Sequence, residues 1–226
     1  MTEVNPETVA LARSPLAGVA PVSTVSATGG RRGILLEAMP AGCMLQIIAR
    51  RGKAEAVRAA LRAATGLEAP NMPARVAKAG TALIWSGPGQ WLLTQDAPTA
   101  KAQAQASAQA QASTMAMTMT ANVTAALAGL ASLSDQSDAR LQVRLSGLHV
   151  RDALAKLVGI DVHPAVFAPG AAAMTVIAHI PVHIWRLPDA GGEGAVFEIA
   201  GPQSMAASLW HHIVTAAEEY GLDARP

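Results

Sequence analysis

Residues 132–170 read SLSDQSDARLQVRLSGLHVRDALAKLVGIDVHPAVFAPG, and this stretch carries the strongest structural signals in the chain. It opens on SDQSD, whose Ser and Asp side chains bond nearby backbone N–H groups and therefore predict a turn. Leu141, Val143 and Leu145 then alternate with polar residues, which predicts a strand with one buried face. Gly147 ends that strand, so a turn, a strand and a tight corner follow one another within a few residues.

The second part of the stretch predicts a short helix followed by a loop. Val150, Leu154 and Leu157 recur at helical spacing, and Gly159 stands where a helix would stop. Prolines punctuate the residues after it, which favours a loop. The order strand, helix and Pro-marked loop also occurs earlier in the chain.

That earlier occurrence begins with an apolar run over 44–48, which predicts a strand. Apolar residues at helical spacing over 57–64 predict a helix, and Gly66 and Pro70 end it. Residues 82–93 then predict two strands joined by a Gly-Pro-Gly turn. Each half of the chain therefore has strand, helix, loop and further strands in the same order.

The fold predicted from this pattern is α+β, with two similar halves that each form an antiparallel sheet with helices on one face. An extended N-terminal arm precedes them, because residues 1–40 contain repeated prolines and no lasting period. The first half covers 41–96 and the second covers 122–226. A low-complexity insertion rich in Ala, Gln, Ser, Met and Thr separates them at 97–121. We expect the halves to form one compact domain.

Composition excludes several classes of partner and compartment. The formal net charge is +1, which gives no strong field toward nucleic acid or membrane surfaces. Cys43 is the only cysteine, so no intrachain disulfide is possible, and the pattern favours a reducing, cytoplasmic location. No secretory signal is predicted. Residues 165–185 lack charges over about the length of a membrane span, but their prolines and β-branched residues predict two buried strands instead.

The residues predict no catalytic, cofactor-binding or metal site in this chain. His179 and His183 would lie roughly 13 Å apart along a strand, too far for one zinc ion. The glycines at 191–194 lack the following helix that a dinucleotide site uses, so a hairpin loop is favoured. A grouping of Ser, His and Asp can be drawn from the chain, but no nucleophile-elbow sequence supports one.

The aromatic and basic residues raise the question of partner contacts instead. Core packing is the favoured role of Trp185, whereas core and interface roles remain equally open for Trp91. We also place Arg31 and Arg32 of the arm among the candidate interface residues. A further basic set favours a solvated helix face over an anion or partner site; it consists of Arg50, Arg51, Lys53, Arg58 and Arg62.

Several short motifs occur in an order that points to a known family. They are DQSDAR at 135–140, RLSG and RDALAKL within 144–157, DVHP at 161–164, FAPG at 167–170, AH at 178–179, VHIW at 182–185, and WSGPGQWL at 85–92. Each motif alone is weak, but their order and spacing are specific. The chain resembles the gamma subunit of heterotetrameric sarcosine oxidase over most of residues 80–220.

The resemblance implies a fold like the folate-binding domains of the glycine-cleavage aminomethyltransferase and a non-catalytic role in assembly. It implies larger alpha and beta subunits and a small delta subunit, with FAD, FMN, NAD and tetrahydrofolate held outside this chain. Such a complex converts sarcosine to glycine and forms hydrogen peroxide and 5,10-methylenetetrahydrofolate. Two alternatives stay open: the equivalent subunit of a secondary-amine dehydrogenase of the N-methylglutamate type, and a free-standing folate-binding protein.

Overall fold

The computed structural model describes residues 14–25, 33–40, 42–95, 117–189 and 194–226. Its strands are β1 (Val22–Ser23), β2 (Ile34–Ala38), β3 (Cys43–Ala49), β4 (Arg75–Lys78), β5 (Thr81–Gly87), β6 (Gln90–Gln95), β7 (Ala131–Asp135), β8 (Arg140–Gly147), β9 (Ala172–Ile177), β10 (Ile180–Leu187), β11 (Ala195–Pro202) and β12 (Leu222–Arg225). Its helices are α1 (Ala54–Thr65), α2 (117–126), α3 (Val150–Ala155) and α4 (Ala206–Ala217), with single 3-10 turns at Gln203–Met205 and Glu218–Tyr220.

The strands form two sheets that pack against each other. One has seven strands in the order β1-β12-β2-β8-β11-β10-β9, and the other has five in the order β4-β5-β6-β3-β7. Helices α3 and α4 share a core with the larger sheet, and α1 and α2 share one with the smaller sheet. The opposite faces of the two sheets meet in a third cluster of Met44, Ile84, Leu92, Ala172, Trp185 and Ala200. The layers are therefore helix, sheet, sheet and helix, which confirms the predicted α+β class.

The stretch at 132–170 folds largely as its sequence indicates. A turn follows β7, and β8 buries Leu141, Val143 and Leu145 while the residues between them stay partly exposed. Helix α3 ends at Ala155, earlier than the predicted stop at Gly159. The early end follows from a tertiary contact, because Val158 forms an isolated bridge with a residue of β9.

The structure differs from the predicted extended arm in the second part of residues 1–40, which contains β1 and β2. β2 lies inside the larger sheet between β12 and β8, and its Ile34 and Leu36 are fully buried. β1 pairs with β12, and Leu16 joins the core beneath the sheet. The neighbours that order these segments are β12, at the end of the chain, and β8, so no local period in the arm could reveal them. Residues 1–13 and 26–32 lie outside the described residues.

The boundary between the halves also differs from the prediction. β7 pairs with β3 of the smaller sheet, and Val123 of α2 is buried in that sheet's core. Residues 117–135 therefore extend the first half, whereas the prediction assigned them to the insertion and the second half. The remaining insertion residues, 97–116, lie outside the described residues.

The uncharged segment at 165–185 contains β9 and most of β10, as its β-branched residues predict. The two strands form an antiparallel hairpin. In the described parts of the chain, no helix has the length and apolar character needed to cross a membrane.

Three glycines allow chain segments to cross at close range. A Cβ atom on Gly147 would lie 2.1 Å from the carbonyl oxygen of Gly33, and one on Gly194 would lie 2.4 Å from the carbonyl carbon of Gly147. Gly147 and Gly194 also have φ angles of +138° and +89°, where other L-residues are strained. The crossing brings together the end of β8 and the starts of β2 and β11, so it fixes three neighbouring strands at one point.

We expect Gly147→Ala to lower the free energy of unfolding by at least about 2 kcal/mol, because the methyl group meets backbone atoms and the φ angle is unfavourable. Gly159→Ala is the matched control, since a Cβ there meets nothing within 4 Å. Urea unfolding of the full chain measures both. Equal stability of the two variants would show that the crossing tolerates a side chain.

Candidate functional site

Polar side chains from both sheets meet at one side of the contact between the sheets. Ser86 of β5 and His183 of β10 are both buried, and the Ser86 Oγ atom lies 2.7 Å from the Nε2 atom of His183. Arg140, the first residue of β8, places its Nη1 atom 3.4 Å from the Nδ1 atom of His183. Ser86 is the extra residue where the pairing of β5 with β6 shifts register, and such bulges redirect side chains.

The donors around His183 determine which ring nitrogen carries the proton. Arg140 can only donate, so Nδ1 accepts, and Nε2–H donates to Ser86. The Ser86 hydroxyl then donates to the sulfur of Met174 at 3.5 Å. Gln46 donates its amide to the same hydroxyl oxygen at 3.4 Å. A neutral imidazole therefore fits every contact in a hydrogen-bonded path between the two sheets.

The electrostatic setting keeps His183 neutral. Burial, and secondarily the positive charge of Arg140, lowers the pKa of His183 to about 4. An imidazole with that pKa is a weak base near neutral pH. The residue on its other side is a cation, whereas a nucleophilic triad needs a carboxylate there. The Ser86–His183 pair is thus suited to joining the sheets and orienting Arg140.

Arg140 is a partly buried cation beside two cavities. Burial lowers its pKa. Its Nε atom is inaccessible and has no hydrogen-bond partner, and within the described ranges the contact of its guanidinium is with the His183 imidazole and not with a carboxylate. A cavity of about 330 Å³ is lined by Gln136, Ala139, Arg140, Met174, Pro181, Val182, His183 and Pro202. A second, of about 240 Å³, adjoins Arg140 from the side of Asp138 and Met39.

A second polar group lies on the same face of the larger sheet. Glu198 of β11 is 2 % exposed, and it accepts hydrogen bonds from Trp185 Nε1 at 2.7 Å and from Arg144 Nη2 at 2.6 Å. Trp185 and Arg144 are the direct cross-strand neighbours of Glu198. The row continues across β2 to Glu37 and across β12 to Arg225, whose side chains lie 3.7 Å apart. The carboxylate thus fixes the indole that plugs the contact between the sheets.

The structure describes two of the residues that the sequence singled out for core packing or partner contacts, Trp185 and Trp91. Trp185 packs in the core, as favoured. Trp91 is 2 % exposed and donates its Nε1 hydrogen to Pro70 O at 2.7 Å, so the chain by itself leaves almost none of the indole for a partner. This burial favours the core interpretation of Trp91. Arg31 and Arg32 lie outside the described residues, and their interface role stays a prediction.

The other candidates are located as follows. His179 lies in the turn between β9 and β10 with a φ angle of 72°, and not on the strand that holds His183. Arg58 of α1 forms ion pairs with Glu55 and Glu68 at the helix surface. In the part of the chain that the structure describes, no group of three or more His, Cys, Asp or Glu side chains is arranged to hold a metal ion.

Sequence reasoning missed the grouping of Ser86, Arg140 and His183. Each comes from a different strand, and the first two belong to different sheets. The only available signal was a histidine inside an otherwise uncharged, β-branched segment, which indicates a buried imidazole that needs partners.

Comparison with known proteins gives consistent results. The family model of the GCVT N-terminal domain matches residues 93–225. The sarcosine oxidase subunit gamma of Arthrobacter sp. is 31% identical over 183 residues, which cover 80% of this chain and 79% of that protein. The subunit of the same name from Corynebacterium sp. strain U-96 is 29% identical over 178 residues, 78% of each chain.

Solved structures agree with these relatives. A chain of the heterotetrameric sarcosine oxidase from Corynebacterium sp. U-96, in complex with pyrrole 2-carboxylate, matches with a TM-score of 0.71 and 26% identity, covering 93% of this chain and 96% of that one. The glycine cleavage system aminomethyltransferase T from Bartonella henselae matches with a TM-score of 0.53 and 14% identity, covering 86% of this chain and 48% of that one. The second match concerns the fold alone.

We expect Trp185→Phe to be more destabilising than Trp91→Phe by at least about 1 kcal/mol. Both indoles are fully buried and donate one hydrogen bond of 2.7 Å, but the acceptor is a buried carboxylate for Trp185 and a backbone carbonyl for Trp91. Urea unfolding of the full-length variants tests the difference. Equal losses would mean that Glu198 does not depend on the indole.

We expect the stability of the wild-type chain to fall, relative to a His183→Gln variant, as the pH drops from about 6.5 toward 4. The folded-state pKa of His183 is about 4, below the ordinary histidine value of 6.5, so the unfolded chain binds the proton first. The difference reaches at most about 3 kcal/mol. Urea unfolding at several pH values measures it, and parallel profiles for the two proteins would contradict the buried neutral imidazole.

Proposed function

Since this chain belongs to the family of sarcosine oxidase gamma subunits, we propose that it is the assembly subunit of a heterotetrameric complex of that kind. The observation that carries the proposal is the match to a chain of the heterotetramer over 93% of this chain and 96% of that one. A match of nearly full length on both sides means that the same layered domain is present with little added or lost. The role inferred is to contribute contact surface and stability.

In this proposal the chemistry belongs to the other subunits. They bind FAD, FMN, NAD and tetrahydrofolate, and the complex demethylates sarcosine oxidatively to glycine, with hydrogen peroxide and 5,10-methylenetetrahydrofolate as products. The partners are larger alpha and beta subunits and a small delta subunit. What supports a non-catalytic role for this chain is the neutral, low-pKa imidazole of His183 beside a cation, which is poorly suited to proton transfer near neutral pH.

The fold family raises the possibility of folate binding by the chain itself, and the two cavities beside Arg140 fit that ligand poorly. The pterin ring presents adjacent N–H donors, which a carboxylate accepts in a paired fashion. The cavity of about 330 Å³ has no carboxylate in its lining. The one that includes Asp138 has only about 240 Å³, below the usual range for drug-sized ligands. The free-standing folate-binding protein is therefore the weaker alternative.

The other alternative is a secondary-amine dehydrogenase of the N-methylglutamate type, whose corresponding subunit would have the same fold and role. None of the described residues of this chain separates the two. The purified complex separates them by turnover: sarcosine with oxygen consumption indicates the oxidase, and N-methylglutamate with an artificial acceptor indicates the dehydrogenase.

We expect an affinity-tagged form of this chain to co-purify with flavin-containing subunits when it is expressed together with the neighbouring reading frames. The eluate should show flavin absorbance, sarcosine-dependent peroxide formation and subunits in equal amounts. The tagged chain expressed alone is the control and should carry no flavin. Elution of the co-expressed chain without partners, or micromolar binding of tetrahydrofolate by the chain alone in calorimetry, would contradict the proposal.

A further inference from the structure

Arg140 is a partly buried arginine that has no anionic partner within the described ranges, unlike Arg144 and Arg186. Arg144 is paired with the carboxylate of Glu198, and Arg186 is paired with that of Asp189. Arg140 has only the imidazole of His183 beside it within the described ranges. A half-buried guanidinium without a counter-charge is unfavourable, because burial removes water and nothing replaces it. The positive charge of Arg140 is therefore not compensated by any described residue.

The geometry leaves one nitrogen of the guanidinium, Nη2, available to a partner from outside. Nη1 points at His183, which is neutral and accepts a hydrogen bond without compensating the charge. Nε is inaccessible to solvent and has no partner. Within the described ranges Nη2 has no hydrogen-bond partner and is not enclosed as Nε is, so an incoming carboxylate can accept a charge-assisted hydrogen bond from it. The hydrogen bond to His183 thus fixes the orientation in which Nη2 is presented.

The surroundings indicate what kind of molecule brings the carboxylate. The cavity of about 330 Å³ beside Arg140 opens next to β9, which is an edge strand of the larger sheet. Met174 and Val176 of that strand are 48 % and 51 % exposed, although both are large apolar side chains. Val176 lies directly opposite Pro181, which lines the cavity. An exposed apolar rim beside an unpaired cation is complementary to an acidic residue flanked by apolar ones.

We propose that the cavity beside Arg140 receives an Asp or Glu side chain from another subunit of the complex, and that apolar residues next to it cover Met174 and Val176. This inference rests on the proposed function, because it names the contact through which the chain joins its partners. The buried cation supplies specificity and the apolar rim supplies contact area.

The first test is carbodiimide coupling in the complete complex that contains an Arg140→Lys variant. The introduced amine should form an amide with the partner carboxylate, and mass spectrometry of the digested product should identify an Asp or Glu of another subunit. Arg62→Lys is the matched control, since Arg62 is exposed on α1 and its ion pair, at 3.4 Å, is with Glu68 of the same chain. Coupling at 140 to this chain's own Asp138, or to no carboxylate in an intact complex, would overturn the contact.

The second test uses Arg140→Gln, in case the lysine variant folds poorly. Affinity of this chain for the remaining subunits should fall by about 30-fold or more, because the partner carboxylate loses its counter-charge in a buried site. The binding of the variant should also depend less on NaCl concentration than that of the wild type. Arg62→Gln should leave both quantities unchanged.

The possible outcomes distinguish failure of the Arg140 contact from failure of the proposed function. Unchanged affinity of Arg140→Gln in a complex that the wild-type chain enters normally would overturn the contact alone. Saturable binding of acetate to the assembled wild-type complex, lost in Arg140→Gln, would also overturn it, because the site would then be open to a small acid. A wild-type chain that enters no complex would overturn both proposals.

Discussion

The hydrogen bond from Trp185 to the buried carboxylate of Glu198 is the interaction on which the arrangement of the two sheets depends. A carboxylate removed from water costs several kcal/mol unless donors replace the lost solvation. Trp185 and Arg144 are those donors, and both are direct neighbours across the sheet. The indole is therefore held in one orientation, and it fills the cluster between the sheets together with Met44, Ile84 and Leu92 of the smaller sheet. That packing brings Ser86 within hydrogen-bond distance of His183.

The consequence for function concerns the polar side chains between the sheets: their hydrogen bonds are satisfied on the inner side, whereas Arg140 on the outer side lacks a charged partner. On the inner side, Gln46, Ser86 and His183 satisfy one another with a neutral imidazole. On the outer side, Arg140 lines a cavity, and the Nη2 atom of its guanidinium is unpaired within the described ranges. A chain with this design stabilises its own sheet packing through hydrogen bonds and keeps a buried positive charge available for a carboxylate supplied by another molecule.

Particular residues show which parts of the structure could be predicted from the sequence. The alternation of Leu141, Val143 and Leu145 predicted β8 because the buried face of one strand is a local pattern. The helix before Gly66 was predicted for the same reason, and Gly66 ends it with a φ angle of 68°. β2 and β12 were missed, because they pair with each other in parallel across almost the whole chain and neither has a long apolar period. The Ser86, Arg140 and His183 grouping was missed for a similar reason, since its members are close only after two sheets have packed.

The sequence by itself determined the α+β class, the order of most strands and helices and the resemblance to the gamma-subunit family, because periodicity, turn residues and short motifs act over a few neighbouring residues. Only the tertiary structure decided that the second part of the arm is a central strand and that Trp91 is buried. It alone decided that a neutral histidine lies between a serine and an unpaired arginine. These features depend on which distant segments meet and on how much water is removed there, and burial sets both the pKa of His183 and the need of Arg140 for a partner.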